Sequence, residues 1–587
     1  MPSRSPVPLV SRRLLVAIPL GVLTACSPAK DASSSADSAA RGVLSDSAAL
    51  AAAPAELRPA LESVTADEIM RHIQALAADS MEGRAPGTTG EEKAVTYIAG
   101  QFKQMGLVPG NPDGTYFQKV PLIGYTSHPT ASLTAKGTAV ALRFPDDFVA
   151  VSRHARARTS VSNSDVVFVG YGVVAPEYGW DDYKGLDVKG KTIVMLVNDP
   201  PVPAGSDTAT LDSTIFKGRA MTYYGRWTYK YEIASTKGAA AAIIVHETGP
   251  AGYPYEVVKN SWGRENFDIK SSGADSRVPV EAWITRDKAV ELFKASGLNF
   301  DSLKALARTK AFAPVALPAK ATFDVRNTVR EIQSRNVVGK LAGSDSALAD
   351  QYVVFTAHWD HFGRDTALKG DQIFNGAIDN ASGVAEMLAL ANAYTKLATK
   401  PRRSLLFIGL TAEEQGLLGA KGYATAPLYP LNKTLADINM DEANVWGPTK
   451  DITVIGYGNS NLDDVLQEVA SSVGRVVKGD PEPEKGSFYR SDHFEFAKKG
   501  VPALYIAPGD EPLSGPSGAE SPKTRFDLTD YHKVSDDIKS DWNLAGTVGD
   551  TRLLFRVGYM VANGDAFPQW KPGTEFKALR DSAMAGR

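Results

Sequence analysis

From about residue 336 onwards, short apolar runs alternate with segments of helical periodicity, and this alternation restricts the fold more than any other feature. The apolar runs lie at residues 352–357, 404–410, 438–440, 452–455 and 503–506. Helical segments separate them, for example at 383–397 and 462–473. The pattern predicts an α/β fold in which helices sandwich a largely parallel mixed sheet. In such sheets, functional side chains lie at the carboxyl ends of the strands.

Histidines and acidic residues stand at these predicted strand ends. The candidates are His358, Asp360, Asp379, Glu413, Glu414, Asp441 and His532. Converging carboxylates repel one another, and a divalent cation resolves that repulsion. The chain has one cysteine, Cys26, so thiolates cannot build the site. Imidazole with carboxylate suits zinc or another first-row divalent metal, and two ions that share a carboxylate can hold a water between them.

The ordered clusters resemble the M28 family of co-catalytic zinc aminopeptidases, which also includes glutamate-carboxypeptidase-like enzymes. The resemblance covers about residues 61–130 and 325–560. It implies a zinc-exopeptidase type of fold, two Zn²⁺ per chain and peptide substrates. It assigns His358 and Asp441 to one zinc, Glu414 and His532 to the other, and Asp379 to both.

The same resemblance gives roles to the neighbouring residues. Glu413 is expected to be the general base, Tyr531 to donate to the oxyanion, and Asp360 to fix the tautomer of His358. Substrate contacts are expected near the motif Ser491-Asp492-His493, at Tyr489, Arg490 and Asp492. For His361, His493 and Tyr489, ordinary packing is weighed equally with function.

The predicted catalytic domain has two parts, an N-terminal part at 61–130 and the main part at 321–587. Thr65 to Glu68 fits a capping box that opens a helix through about residue 78, and 91–104 predicts a second helix. Residues 131–320 differ, because short strands at 166–169, 192–197, 242–245 and 279–284 alternate with turns. We predict a mostly β inserted module, which resembles a protease-associated (PA) domain through Gly170-Tyr171-Gly172-Val173.

The N-terminus resembles a bacterial lipoprotein signal over residues 1–25. Arg4, Arg12 and Arg13 precede an apolar run at 14–25, which is too short to span a bilayer. Cleavage before Cys26 would place lipid on that thiol, and residues 26–60 are expected to form a flexible tether. The prediction is an exported protein, anchored by lipid in the bacterial cell envelope, at the outer membrane facing the periplasm.

Several alternatives stay open. An M20-like dipeptidase or deacylase uses similar metal ligands. That family carries a lid domain between its fourth and fifth ligand residues, whereas the extra module here precedes His358, which favours M28. A glutamate-carboxypeptidase-like enzyme, a one-zinc glutaminyl-cyclase-like transferase and a non-catalytic binding protein are weaker alternatives. The formal charge of −3 gives no basic surplus for nucleic acid. The sequence does not determine an oligomeric state.

Overall fold

The computed structural model describes residues 42–154, 156–205, 207–270 and 277–585. Residues 43–587 form one structural unit. Cys26 and the predicted signal lie outside the described residues. Among the described residues, no helix combines the length and apolarity needed to cross a bilayer.

The second half of the predicted tether is ordered, so that part of the prediction is wrong. Helices Asp46–Ala52 and Arg58–Ser63 form there, the first of them capped by the Ser45 side chain. Leu57 and Ala60 are buried in the main core. Leu57 comes directly before helix Arg58–Ser63 and Ala60 lies within it, so this second helix has a buried face.

A largely parallel sheet forms the core of the predicted catalytic domain, as the sequence predicts. Four strands run parallel as neighbours, Ser404–Leu410, Tyr352–His358, Thr434–Asn439 and Ala503–Ala507. On one side, strand Val315–Leu341 pairs antiparallel with Ser404–Leu410. On the other side, strand Asp451–Val454 pairs antiparallel with Ala503–Ala507, and Val476–Gly479 then pairs parallel with Asp451–Val454.

Helices cover both faces of this sheet. Alternate residues such as Phe355 and Phe407 pack with helices Ala66–Leu76, Thr89–Gln104, Gly383–Thr395, Leu462–Ser472 and Ala545–Asn563. On the other face, Val354 and Leu406 pack with helices Leu418–Thr425 and His493–Ala497. Because the strands are buried on both faces, they read as continuous apolar runs. Thr65 accepts a hydrogen bond from the Glu68 N–H at 3.2 Å, which confirms the helix start predicted there.

The stretch from 131 to 320 forms a second layer of parallel strands. In order they are Arg158–Phe168, Thr192–Leu196, Ala241–His246 and Val280–Thr285, with Phe148–Val151 antiparallel at the edge. The described part of this stretch contains more helix than the prediction of a mostly β module implied. The helices are Trp227–Thr236, Thr248–Ala251, Tyr255–Trp262, Arg286–Ala295 and Phe300–Ala307.

A long ribbon joins this layer to the sheet of the catalytic part. Strands Phe117–Ala135 and Val315–Leu341 pair antiparallel from Phe117 with Val337 to Ala135 with Ala319. One end of Val315–Leu341 pairs with Ser404–Leu410 and the other with Arg158–Phe168. The predicted domain boundaries, near 130 and 320, therefore fall inside a continuous ribbon and remain predictions.

Candidate metal centre

Three neighbouring parallel strands deliver the candidate ligands to one edge of the sheet. His358 is the last residue of Tyr352–His358. Glu413 and Glu414 come soon after Ser404–Leu410, and Asp441 follows Thr434–Asn439. The parallel register places these strand ends side by side, so the sequence prediction of a shared crevice holds.

Asp379 reaches this edge from a tight loop before helix Gly383–Thr395. Gly376 allows the loop with a φ of +54°, where a Cβ would overlap the Asp379 carbonyl and the His361 ring. A glycine is therefore required at position 376 to bring Asp379 to the site.

The carboxylate of Asp379 lies between two histidines. Its Oδ1 is 3.3 Å from His358 Nε2, and its Oδ2 is 3.1 Å from His532 Nε2. Asp441 Oδ1 is 3.3 Å from His358 Nε2, and Glu414 Oε2 is 3.3 Å from His532 Nε2. The five predicted ligands thus form two sets of three that share Asp379.

These separations fit a tetrahedral metal. With metal–ligand bonds of about 2.0–2.1 Å, two ligand atoms on a tetrahedral zinc lie roughly 3.3 Å apart. The observed distances from His358 Nε2 to Asp379 and Asp441 are both 3.3 Å. The donor set and its spacing therefore suit zinc at each set.

The electrostatics of the cluster also favour a cation. Burial and the charge of Asp379 raise the pKa of Glu414 well above its usual value. Burial alone would lower the pKa of His358, but the charges of Asp441 and Glu413 raise it well above its usual value. Without a metal, the negative charge of this cluster can be offset only by bound protons. A metal cation would offset the same charge, so the cluster is suited to bind one.

Asp360 differs from its predicted role. The nearest acceptor of His358 Nδ1 is the Asp360 backbone carbonyl, at 3.2 Å, whereas the Asp360 carboxylate is 3.7 Å away. The carboxylate instead accepts the backbone N–H of Glu413 at 3.0 Å. It thereby holds the predicted base, whose Oε2 lies 4.0 Å from His358 Nε2.

Tyr531 is exposed and lies beside the ligand candidate His532. Its side chain is 40% exposed, and its ring stacks on His532 with 3.8 Å between centroids. The structure therefore places the phenol within the group that surrounds the second set of ligands.

The predicted substrate contacts separate into two kinds. Tyr489 is buried and donates its hydroxyl to Glu575 at 2.8 Å, and Asp492 is fully buried. Neither offers a surface that a substrate could contact, so the structure argues against a direct substrate role for both. Arg490 is half-buried and faces the middle layer, with its guanidinium 5.5 Å from the Tyr253 ring centroid.

Two residues that the sequence singled out without giving them this role, Ser491 and His361, contact the ligands. Ser491 donates to Asp441 Oδ2 at 2.6 Å, and His361 Nδ1 lies 2.6 Å from Glu414 Oε1. Burial lowers the pKa of His361 to about 4, so it is neutral beside Glu414. His361, Asp379 and Glu414 also form a possible three-ligand group.

Two buried residues brace the loops from behind. Asp536 accepts the N–H groups of Ile378 and Asp379. Arg84 donates to the carbonyls of Leu76, Trp359, Asn375 and Gly376. The sequence signal for Asp536 was its position four residues after His532, whereas nothing local singled out Arg84.

An α/β sheet that gathers histidines and carboxylates at its carboxyl edge into a shared-carboxylate cluster defines a metallohydrolase type of centre. Residues 336–555 match the model of Peptidase family M28, and they contain all five ligand candidates. This part of the chain therefore belongs to family M28.

Individual relatives are distant. A vacuolar membrane protease of Verticillium alfalfae is 36% identical over 105 residues, which cover 18% of this chain and 10% of that protein. A glutamate carboxypeptidase 2 homolog of Caenorhabditis elegans is 24% identical over 314 residues, covering 49% of this chain and 38% of that protein. The matches thus span well under half of these relatives' own lengths. The solved aminopeptidase from Aneurinibacillus sp. strain AM-1 aligns at 20% identity with a TM-score of 0.46, over 86% of this chain and 95% of that one.

Proposed function

We propose that the chain is a two-zinc aminopeptidase that removes N-terminal residues from peptides. The observation that carries the proposal is the position of Asp379, with one oxygen 3.3 Å from His358 and the other 3.1 Å from His532. His358, Asp379 and Asp441 would hold one ion, and Asp379, Glu414 and His532 the other. When bound, zinc supplies Lewis acidity toward the scissile carbonyl and toward a water.

The chain's own residues supply the proton transfers and the orientation. Glu413, held by Asp360 through its backbone N–H, would take a proton from the attacking water and pass it to the leaving amine. Tyr531 would donate its hydroxyl to the oxygen that gains charge in the transition state. Both roles need only short movements, because both side chains already border the ligand cluster.

The proposal is tested by metal content and substrate choice together. The purified protein should contain about two zinc ions per chain by elemental analysis. It should hydrolyse aminoacyl-anilides and dipeptides that have a free amino terminus, and a chelator should abolish this activity. Hydrolysis of N-acetylated peptides at an equal rate would favour a deacylase or carboxypeptidase instead. Metal-loaded protein that hydrolyses none of these substrates would refute the proposal.

We further propose that the protein is exported and anchored by lipid at Cys26, because residues 1–26 carry the charge, apolar core and cysteine of a lipoprotein signal. The test is incorporation of labelled fatty acid by the expressing bacterium, with Cys26→Ser as the matched control. Label in the wild type only, with the protein in the outer-membrane fraction, supports the proposal. Unlabelled, freely released protein overturns it.

A further inference from the structure

A row of buried polar side chains connects the ligand candidate Asp441 with the interior of the sheet. Ser491 donates to Asp441 Oδ2 at 2.6 Å, and Asn439 Nδ2 donates to Ser491 Oγ at 2.7 Å. The Thr356 hydroxyl lies 2.9 Å from Asn439 Oδ1 and 2.9 Å from Asp437 Oδ1. Ser491, Asn439, Thr356 and Asp437, which we call the Asp437 network, are each at most 3% exposed, so bulk water does not compete for these bonds.

The sheet brings the Asp437 network together. Thr356 and Asn439 are paired residues of two neighbouring parallel strands, and each stands two positions before a ligand candidate. Asp437 precedes Asn439 by two positions, so its side chain emerges on the same face of the sheet. Ser491 comes from the loop before helix His493–Ala497, which covers that face.

The hydrogen bonds near the metal centre can run in one direction only. The Ser491 hydroxyl has a single hydrogen, and the Asp441 carboxylate, ionised as a metal ligand, can only accept it. Ser491 Oγ must then accept from Asn439, so the Asn439 amide presents its N–H₂ group to Ser491 and its Oδ1 to Thr356. Within the described part of the chain, Thr356 is the one donor to Asn439 Oδ1.

The Thr356 hydroxyl therefore has one hydrogen for two oxygens at the same distance. A neutral carboxyl group and an amide oxygen can share it, whereas an ionised carboxylate at Asp437 is the stronger acceptor and would draw it away from Asn439. Asn439 Oδ1 would then be buried without a donor. If the amide turned over to recover a bond, its oxygen would face Ser491, and Ser491 would stop donating to Asp441.

The surroundings of Asp437 favour its neutral form. Its partners on the adjacent strands are Val354 and Ala503, and its Oδ2 makes no hydrogen bond. Asp492 and Tyr423 interact with it electrostatically from the segments that cover this face, both are fully buried, and neither supplies a positive charge. Burial raises the pKa of Asp437 to about 8. Asp437 is therefore suited to keep a proton at neutral pH.

We propose that Asp437 is a positioning residue for the metal centre, because its proton leaves the Thr356 hydroxyl to Asn439, which then directs Ser491 onto Asp441. Loss of that proton would loosen Asp441 and weaken binding of the ion that His358, Asp379 and Asp441 would hold. This inference rests on the role of Asp441 in the proposed function. It makes the metal centre sensitive to a carboxyl group that does not contact the ligands.

The test compares the zinc affinity of Asp437→Asn with that of the wild type from about pH 6 to about pH 9.5, by competition with a chromogenic chelator. The variant stays neutral over this range, and a group that orients a metal ligand typically contributes about 10- to 100-fold in affinity. We expect equal affinities at the lower end and, at the upper end, binding by the variant that is about tenfold tighter or more. Taking the ratio removes the deprotonation of the ligands, which affects both proteins alike.

The sign of this difference separates positioning from a simple charge effect. An ionised Asp437 that acted only through its charge would attract zinc, so Asp437→Asn would bind zinc more weakly than the wild type at high pH. The matched control is Asp492→Asn, because Asp492 is a buried carboxyl near Asp437 whose oxygens make no hydrogen bond. It should not bind zinc more tightly than the wild type at any pH. A flat or inverted ratio for Asp437→Asn, or tighter binding by Asp492→Asn alone, would overturn the inference.

Substitutions at Thr356 show whether the effect passes through the Asp437 network. Thr356→Val removes the hydroxyl, so it should lower zinc affinity by about tenfold already at low pH and cancel the gain from Asp437→Asn at high pH. Thr356→Ser keeps the hydroxyl and should behave as the wild type. Wild-type affinity in Thr356→Val, or an undiminished gain from Asp437→Asn in its presence, would contradict the network.

Measuring kcat/KM on a dipeptide at the same pH values separates this inference from the proposed function. Zinc binding with the expected ratio but without hydrolysis refutes the proposed function and supports the role of Asp437. Hydrolysis with a flat ratio refutes the role of Asp437 alone. Absence of zinc binding in the wild type refutes both.

Discussion

Asp536 accepts the backbone N–H of Asp379 at 3.0 Å on one carboxylate oxygen, while its other oxygen accepts the N–H of Ile378 at 2.9 Å. Asp536 therefore fixes the backbone of the residue that both ligand sets share. Both oxygens are used as acceptors, so the position needs a carboxylate and not merely a polar group of the same shape.

Asp536→Asn should weaken metal binding and turnover without unfolding the protein. One amide N–H₂ group would face a backbone N–H, which would push the Asp379 loop out of place. Removing a group that orients a metal ligand typically costs about 10- to 100-fold in affinity or activity. The measurements are zinc affinity by competition with a chromogenic chelator, and kcat/KM. Asp537→Asn, at the exposed neighbouring position, is the control and should behave as wild type.

Glu413→Gln should retain the zinc content of the wild type and lose turnover by about 10²- to 10⁴-fold, because the amide cannot accept the proton of the attacking water. The backbone N–H bond to Asp360 is unaffected by the change, so the loop should keep its place. Elemental analysis and steady-state kinetics check the two halves of this expectation. Wild-type turnover in the variant would show that another group is the base.

Metal removal should destabilise the fold as well as abolish activity. Asp379, Glu413 and Glu414 lie together at the site, and a bound cation offsets their repulsion. Zinc at a thousandfold excess over its Kd would stabilise the folded state by about 4 kcal/mol. Thermal unfolding with a chelator and after zinc is restored should show a reversible change in Tm. His358→Ala should reduce that change, and an unchanged Tm in the wild type would contradict a metal at this site.

The parts of the fold that follow from local patterns were predictable from the sequence. Strand Ser404–Leu410 matches its predicted bounds, because a strand buried on both faces must be continuously apolar. The Thr65 cap is equally local. The convergence of His358, Glu414 and Asp441 also follows from the sequence, since adjacent parallel strands place their carboxyl ends together.

Features that depend on contacts distant in sequence were not predictable in the same way. Arg84 reaches the carbonyl of Trp359, which lies far along the chain, and no periodicity reports such a bond. The role of Asp360 could not be predicted, because it depends on the local backbone geometry. Its position two residues after His358 suggested a contact with that histidine, but its carboxylate accepts the backbone N–H of Glu413. The helices between 131 and 320 were missed because each is only 4 to 10 residues long and lies among the short strands on which the prediction was based.

Arg84→Ala should destabilise the protein strongly. Arg84 is 1% exposed and donates to four backbone carbonyls, which would be left without these donors. Losing donors to buried acceptors costs about 1–3 kcal/mol for each group left unsatisfied, so with four carbonyls we expect a total loss of about 4 kcal/mol or more. Urea unfolding measures it. Arg71→Ala, which removes an exposed arginine 4.0 Å from Glu68, should cost less than about 1 kcal/mol.

Asp437 gives a prediction about pH that is independent of the metal. It is fully buried on strand Thr434–Asn439, where one oxygen accepts the Thr356 hydroxyl at 2.9 Å and the other has no hydrogen-bond partner. Burial raises the pKa of Asp437 to about 8 from its usual 3.8. The folded state therefore keeps a proton on Asp437 at pH values where the unfolded chain has released it.

This difference should make the folded state less stable as pH rises from about 4 to about 8. Its contribution is most favourable below pH 3.8, and it is lost progressively until the pH passes the folded-state pKa of about 8. The slope is at most about 1.4 kcal/mol per pH unit.

Asp437→Asn keeps the acceptor for Thr356 and removes the titration, so the difference in free energy of unfolding between variant and wild type should shift in favour of the variant as pH rises. Urea unfolding at pH 5, 6, 7 and 8 measures that difference, with Asp565→Asn as an exposed control whose difference should stay flat. A difference for Asp437→Asn that does not change with pH would show that Asp437 is ionised in the folded protein.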